Sequence, residues 1–178
     1  MTDGSASQNP HPSSTAPART APVVGFRAWR LTAEGLRSPR VGVVWHERWL
    51  RAECHPQAVE ELVLPAHEAP DPRCRCGIRA HPRPDLRVCE IDFRAVVGAV
   101  TVWGHLEPDG AAVRAEWAEI QALGLHRHAT RRRKASILAA ADALGVDVVD
   151  LPDLELAALR YATPLQAPVL SHRHAVRE

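Results

Sequence analysis

Two apolar runs, AVVGAVTVWGHL at 95–106 and AAVRAEWAEIQAL at 111–123, are separated only by Glu107, Pro108, Asp109 and Gly110. Both are rich in β-branched, small apolar and aromatic residues, as strands buried on one or both faces are. The Pro-Asp-Gly trio supplies turn chemistry at the midpoint, so a hairpin is the simplest structure the segment can adopt. LRVCEIDF (86–93) reads as a strand leading into the first run. GFRAWRL (25–31) alternates aromatic, cationic and aliphatic residues in the manner of a half-buried strand.

After the turn-like AEG at 33–35, VGVVW (41–45) and RWLRAEC (48–54) predict further strands, interrupted at His46 and Glu47. AVEELVLP (58–65) fits either a helical turn or a short strand. The character changes beyond residue 123. Thr130 can cap a helix through KASILAAADAL that Gly145 ends. Pro152, at a first turn, then opens DLELAALRYA, which stops before Pro164. The expected fold class is α+β: a small strand-rich barrel or bent antiparallel sheet with two C-terminal helices and a disordered N-terminal tail.

With 178 residues the chain has room for one ordinary core. Its 15 prolines against 10 glycines imply turn-rich connections between short elements. Residues 1–22, dominated by Ser, Thr, Ala and Pro, cannot bury enough surface to offset the entropy of ordering and are expected to be disordered. Residues 23–124 are then expected to form a β-rich domain, and 125–178 a basic linker with a helical C-terminal segment.

A formal net charge of +1 provides no global field toward nucleic acid or anionic lipid, so any such attraction needs a local cluster. The sequence has neither a signal-peptide-like apolar stretch at its start nor a window of membrane-span length, which predicts a cytoplasmic protein without membrane contact. In a reducing compartment Cys54, Cys74, Cys76 and Cys89 are thiols or metal ligands rather than disulfides. Catalytic signatures are absent: the chain contains no Walker phosphate loop, no G-x-G-x-x-G, no nucleophile elbow and no H-E-x-x-H.

The chemistry concentrates in HEAPDPRCRCGIRAHP at 67–82. In extended backbone, Cys74 and Cys76 leave the same face, so both sulfurs can reach one ion. Gly77 allows the chain to fold close to them. His67 lies seven positions before Cys74, across a loop stiffened by Pro70 and Pro72, and Cys54 at a strand end can supply a fourth donor. Ordinary buried thiols and a surface histidine would produce the same spacing. Cys89 reads as a structural thiol, though it could replace Cys54; His55 and His81 are substitutes for His67. Three thiolates and an imidazole suit structural zinc with a filled tetrahedral shell, and suit an iron–sulfur cluster less.

GFRAWRL, the cysteine of RAEC, HEAPDPRCRCGIRA, VVGAVTVWG and RAEWAEIQAL together resemble an uncharacterised bacterial family frequent in actinobacteria. The family pattern is H-x-A-P-x-x-x-C-x-C-G-hydrophobic-aromatic-A, then a W-G strand and an R-A-E-aromatic-A segment. The likeness spans about residues 25–123. It matches at Cys54, His67, Ala69, Pro70, Cys74, Cys76, Gly77, Trp103, Gly104, Arg114, Ala115 and Glu116, and strengthens the case for a metal site. The chain departs from the pattern at Arg79, where an aromatic is usual, at Pro108-Asp109 in place of Glu-His, and at Ala112-Val113 in place of Gly-Tyr.

Elsewhere, HRHATRRRK gathers Arg127, Arg131, Arg132, Arg133 and Lys134 at the start of a helix, where cations oppose the macrodipole and an anion would relieve them. A solvated linker is the plainer account, and no aromatic lies among these charges in sequence. The five tryptophans read as core anchors. Arg114 and Glu116, one side of a strand, could join Arg27 in an anion site or simply form a surface network. The expected function is a binding or adaptor module with a protein partner. The alternatives are a nucleic-acid-binding regulator acting through residues 127–134, and a metalloenzyme in which His67 leaves a zinc position open to water.

Overall fold

The expected hairpin is the spine of the fold, and both arms are longer than the apolar runs alone. In the computed structural model, which describes residues 21–54 and 66–166, β6 (Ala95–Asp109) and β7 (Ala112–Leu125) pair antiparallel around Gly110, whose φ is 64°. Before them come β1 (Val23–Thr32), β2 (Gly35–Arg37), β3 (Val44–Trp45), β4 (Trp49–Arg51), β5 (Ile78–Ala80) and a single helical turn, α1 (Val88–Ile91). After them come α2 (Arg131–Leu144), β8 (Asp147–Asp150), a 3₁₀ turn over Leu151–Asp153, α3 (Leu154–Ala158) and β9 (Thr163–Pro164).

The nine strands among the described residues form one sheet, ordered β3-β2-β1-β6-β7-β4 along its main path. β7 carries three short neighbours in succession on its other edge. β5 lies opposite residues 113–115, β4 opposite 117–119, and β8 runs parallel to 122–125. The sheet also curls into a half-barrel. His81, just past β5, exchanges backbone hydrogen bonds of 2.7 and 2.8 Å with Phe26 of β1. Gly25 permits that approach, since a Cβ there would lie 2.8 Å from the His81 carbonyl oxygen.

Both sheet faces are buried, which is why the hairpin runs are almost continuously apolar. On one side Trp29, Leu36, Trp45, Ile120 and Leu123 pack with Ile137 and Ala141 of α2. On the other Val24, Phe26, Val97 and Ala122 pack with Leu154 and Ala158 of α3. Adjacent residues such as Ala122 and Leu123 point to opposite faces, so the two C-terminal helices cover opposite sides of the same sheet. Burial of the Ile137 side chain alone contributes about 2 kcal/mol.

The α+β class, the strand at 23–32 and the two helix signals agree with the sequence reading. Thr130 caps α2 by accepting a hydrogen bond from the Arg133 N–H at 3.3 Å, and Gly145 closes it in left-handed backbone at φ 63°. Other expectations need correction. LRVCEIDF is not a strand: Asp85, Leu86 and Val88 accept the hydrogen bonds of a turn followed by α1. The strands expected over 41–45 and 48–54 shrink to Val44–Trp45 and Trp49–Arg51. DLELAALRYA is helical only through Ala158. β2, β5 and β8 have no counterpart in the sequence reading; each is three or four residues long and stands on pairing with a longer strand. AVEELVLP, His55 and all but the last two residues of the expected tail lie outside the described residues.

Candidate metal centre

β4 and β5 run antiparallel to β7 and occupy adjoining stretches of the same edge. Leu50 and Arg51 sit opposite Ala118 and Trp117, while Ile78 sits opposite Ala115. The Ala52 N–H still reaches the Glu116 carbonyl at 2.7 Å, after which the chain must leave the edge to make room for β5. Cys54 falls just past that exit, and Cys74 and Cys76 just before the entry. One point on β7 therefore delivers all three sulfurs.

The four expected ligands come together. One donor atom each from Cys54, His67, Cys74 and Cys76 lies within 4.8 Å of all the others, and all four residues are half-buried. The Cys54 and Cys74 sulfurs are 3.8 Å apart, and the Cys76 sulfur is 3.5 Å from His67 Nε2. Three thiols and an imidazole at these separations can surround one soft or borderline cation.

The loop that carries them is held from within and from below. Asp71 Oδ1 accepts the Arg73 N–H at 2.7 Å, and the Asp71 carbonyl accepts the Cys74 N–H at 3.0 Å. Ala69 and Pro70, joined by a cis peptide, are buried against the sheet. Gly77 has φ 110°, and a Cβ there would lie 2.9 Å from both Arg114 Cβ and Pro70 Cβ, so no other residue fits this backbone. Arg114 passes beneath. With a relative exposure of 7%, it points one nitrogen, Nη1, at the carbonyls of Asp71, Cys74 and Cys76, at 3.0, 2.6 and 2.8 Å. Asp109 lies 3.8 Å from its Nε and also accepts from Arg79.

The thiols titrate as a group. Burial pushes Cys74 up, but hydrogen bonds from the Cys76 backbone N–H and from the side chains of His67, Cys76 and Cys54 outweigh it and bring the thiol to about 7. Burial, with the hydrogen bond to Cys74 and the charges of both other thiols, raises Cys54 to about 11. Cys76 is raised too, first by burial. Cys74 is thus the sulfur most ready to form a thiolate near neutral pH, while Cys54 and Cys76 hold their protons more tightly.

The remaining motif residues are accounted for by packing around this junction. Gly104, at φ 78°, leaves space for the Glu116 carboxylate and the Trp117 ring, which stacks on Trp103 with centroids 6.1 Å apart. Glu116 accepts from Trp117 Nε1 at 3.1 Å, from Arg51 at 3.2 Å and from the His105 N–H at 3.3 Å. Arg27 donates elsewhere, to the Arg79 carbonyl and to Ser38. Arg27, Arg114 and Glu116 thus have separate partners and do not converge on an anion. Sequence reasoning missed what Arg114 does for the loop; the only signal was its place in the R-A-E pattern.

Cys89 is not a substitute ligand: it packs with the α3-side core, its sulfur 3.5 Å from the Ala95 carbonyl. His81 bridges Phe26 through its backbone and is not among the clustered donors. The basic cluster lies at the opposite end of β7, about ten residues or roughly 30 Å away along the strand. Arg127, Arg131, Arg132 and Lys134 are exposed there, while Arg133 turns in to the Ala95 carbonyl. Trp29, Trp45 and Trp103 are core anchors; Trp49 and Trp117 are half-buried. Among the described residues no helix is long and apolar enough to cross a membrane. No protein family, curated protein or solved structure matches the chain.

Proposed function

We propose that this protein is a zinc-stabilised binding or adaptor module of the cytosol, in which the ion ties the loop around residues 67–77 to the exit of β4. The observation that carries the reading is the spacing of the four donors. A tetrahedral ion with Zn–S near 2.3 Å and Zn–N near 2.05 Å separates two sulfurs by about 3.8 Å, and a sulfur and a nitrogen by about 3.6 Å. Two of the six pairs here are 3.8 and 3.5 Å apart, and all lie within 4.8 Å. With His67 in the set the shell is full, which favours a structural ion over one that activates water. Reduced thiols suit a cytosolic setting.

Elemental analysis of protein purified without added metal tests this, for wild type, Cys74→Ser and Cys89→Ser. One zinc per chain, absent from Cys74→Ser and kept in Cys89→Ser, is the expected result. Metal-free wild type whose melting is unchanged by added zinc or by a chelator would refute the reading.

A further inference from the structure

The basic segment after β7 has an aromatic neighbour that the sequence conceals, because the two are some forty positions apart. Strand register places Gly98 opposite Leu123, so the residues just before β6 face those just after β7. Arg133 fixes this juxtaposition by donating to the Ala95 carbonyl. Two residues before Ala95, Phe93 is 73% exposed, whereas the other phenylalanine, Phe26, is 5% exposed.

Phe93 stands on a built turn. The Asp92 carbonyl accepts the Ala95 N–H at 2.8 Å, Asp92 Oδ1 accepts the Arg94 N–H at 2.8 Å, and Oδ2 accepts from Arg30 at 3.1 Å. The Arg94 guanidinium carbon lies 5.4 Å from the Phe93 ring centre. An aromatic face flanked by a guanidinium is thereby tied, through Arg133, to the start of α2, where Arg127, Arg131, Arg132 and Lys134 are exposed. The cations act here as side chains; the Arg133 N–H at the helix start is already taken by Thr130.

We propose that this face binds single-stranded nucleic acid, with one base stacked on Phe93 and the backbone phosphates on the surrounding arginines and lysine. A ring that is presented outward beside cations matches a base and its phosphates. A duplex hides its base faces and would leave Phe93 unused. The proposal names a partner for the binding module but does not depend on zinc, because every residue in it lies at the far end of β7 from the cysteines.

The test is fluorescence anisotropy of the full-length protein with labelled oligo-dT of about 15 nucleotides, measured across salt from about 50 to 200 mM. Unlabelled duplex of equal length and phosphatidylserine vesicles serve as competitors. Phe93→Ala should weaken binding about tenfold with little change in salt slope. Arg131→Ala/Arg132→Ala/Lys134→Ala should flatten the slope by about 2, at about 0.7 for each phosphate that is no longer neutralised. All three positions and Phe93 are solvent-facing, and unchanged metal content and melting of the variants confirm intact folding. Absence of saturable binding, an unaltered affinity in Phe93→Ala, or equal competition by duplex or vesicles would overturn the proposal.

Discussion

Replacing Arg114 by methionine keeps the apolar stem and removes the guanidinium beneath the cysteine loop. Nη1 carries two N–H groups and faces three carbonyl oxygens, so the loss amounts to about two charge-assisted hydrogen bonds, with a third carbonyl that shared them. At about 1.5–3 kcal/mol each, reduced by water that reaches the half-exposed loop, the expected cost is about 3–5 kcal/mol. The three acceptors belong to Asp71, Cys74 and Cys76, so the penalty falls on the backbone geometry that aims the sulfurs. On the zinc reading, affinity should drop by about 10²- to 10³-fold, at about 1.4 kcal/mol per decade. Arg114→Lys keeps a charge but not the reach to three carbonyls, and should fall between the two. Competition with a chromophoric chelator gives the affinity, and guanidinium melts of the loaded protein give the stability. If Arg114→Met holds metal within about threefold of wild type and its midpoint does not move, the guanidinium does not shape the loop and the reasoning fails.

Gly77→Ala should lower stability by about 2–5 kcal/mol, from left-handed backbone strain and contacts at 2.9 Å on two sides; a denaturant melt like that of wild type would contradict it. Ile137→Ala should cost about 2–5 kcal/mol in the same assay while leaving metal content unchanged, because it opens a cavity under α2 far from the cysteines. Asp109 is held below the usual carboxylate range by its hydrogen bond from Arg79, against burial, and by the charges of Arg79, Arg114 and Arg40. Its contribution is therefore complete above about pH 4 and is lost as pH falls through the lowered value. Melts between about pH 5 and 2 should show the gap between wild type and Asp109→Asn closing on acidification. A gap that stays constant over that range would count against the assignment.

The long elements were legible because their signals are local. Apolar continuity and Pro-Asp-Gly mark the hairpin, and Thr130 with Gly145 brackets α2 at the observed positions. The short strands carry no such signal: Ile78–Ala80 and Asp147–Asp150 become strands because β7 offers an unpaired edge, which is a property of the assembled sheet. Leu86–Phe93 has the composition of a strand, yet the turn at Asp85–Val88 and the closing of Asp92 on Ala95 win locally. The four clustered donors could be named from residue type and spacing. Arg114 could not, because its partners are backbone carbonyls some forty residues away, and nothing in side-chain identity announces a carbonyl that lacks a donor. Phe93 beside the basic helix was hidden for a related reason, since only strand register makes them neighbours.

The division of β7's edge among three short strands also orders the molecule in time. β8 closes on β7 across one helix and the β6–β7 hairpin closes on itself, so both form with small loop entropy. β5 pairs from about 35 residues away and β4 from about 68, with the cysteine loop between them. The hairpin with α2 and β8 is thus expected to behave as one cooperative unit, and the β4–β5 junction as a second that opens first. In hydrogen exchange of metal-stripped protein, amides at Ala52 and 78–80 should lose protection while those of 96–102 and 120–125 retain it. The ion would then serve as a latch on the β4–β5 junction, leaving the hairpin unit standing without it.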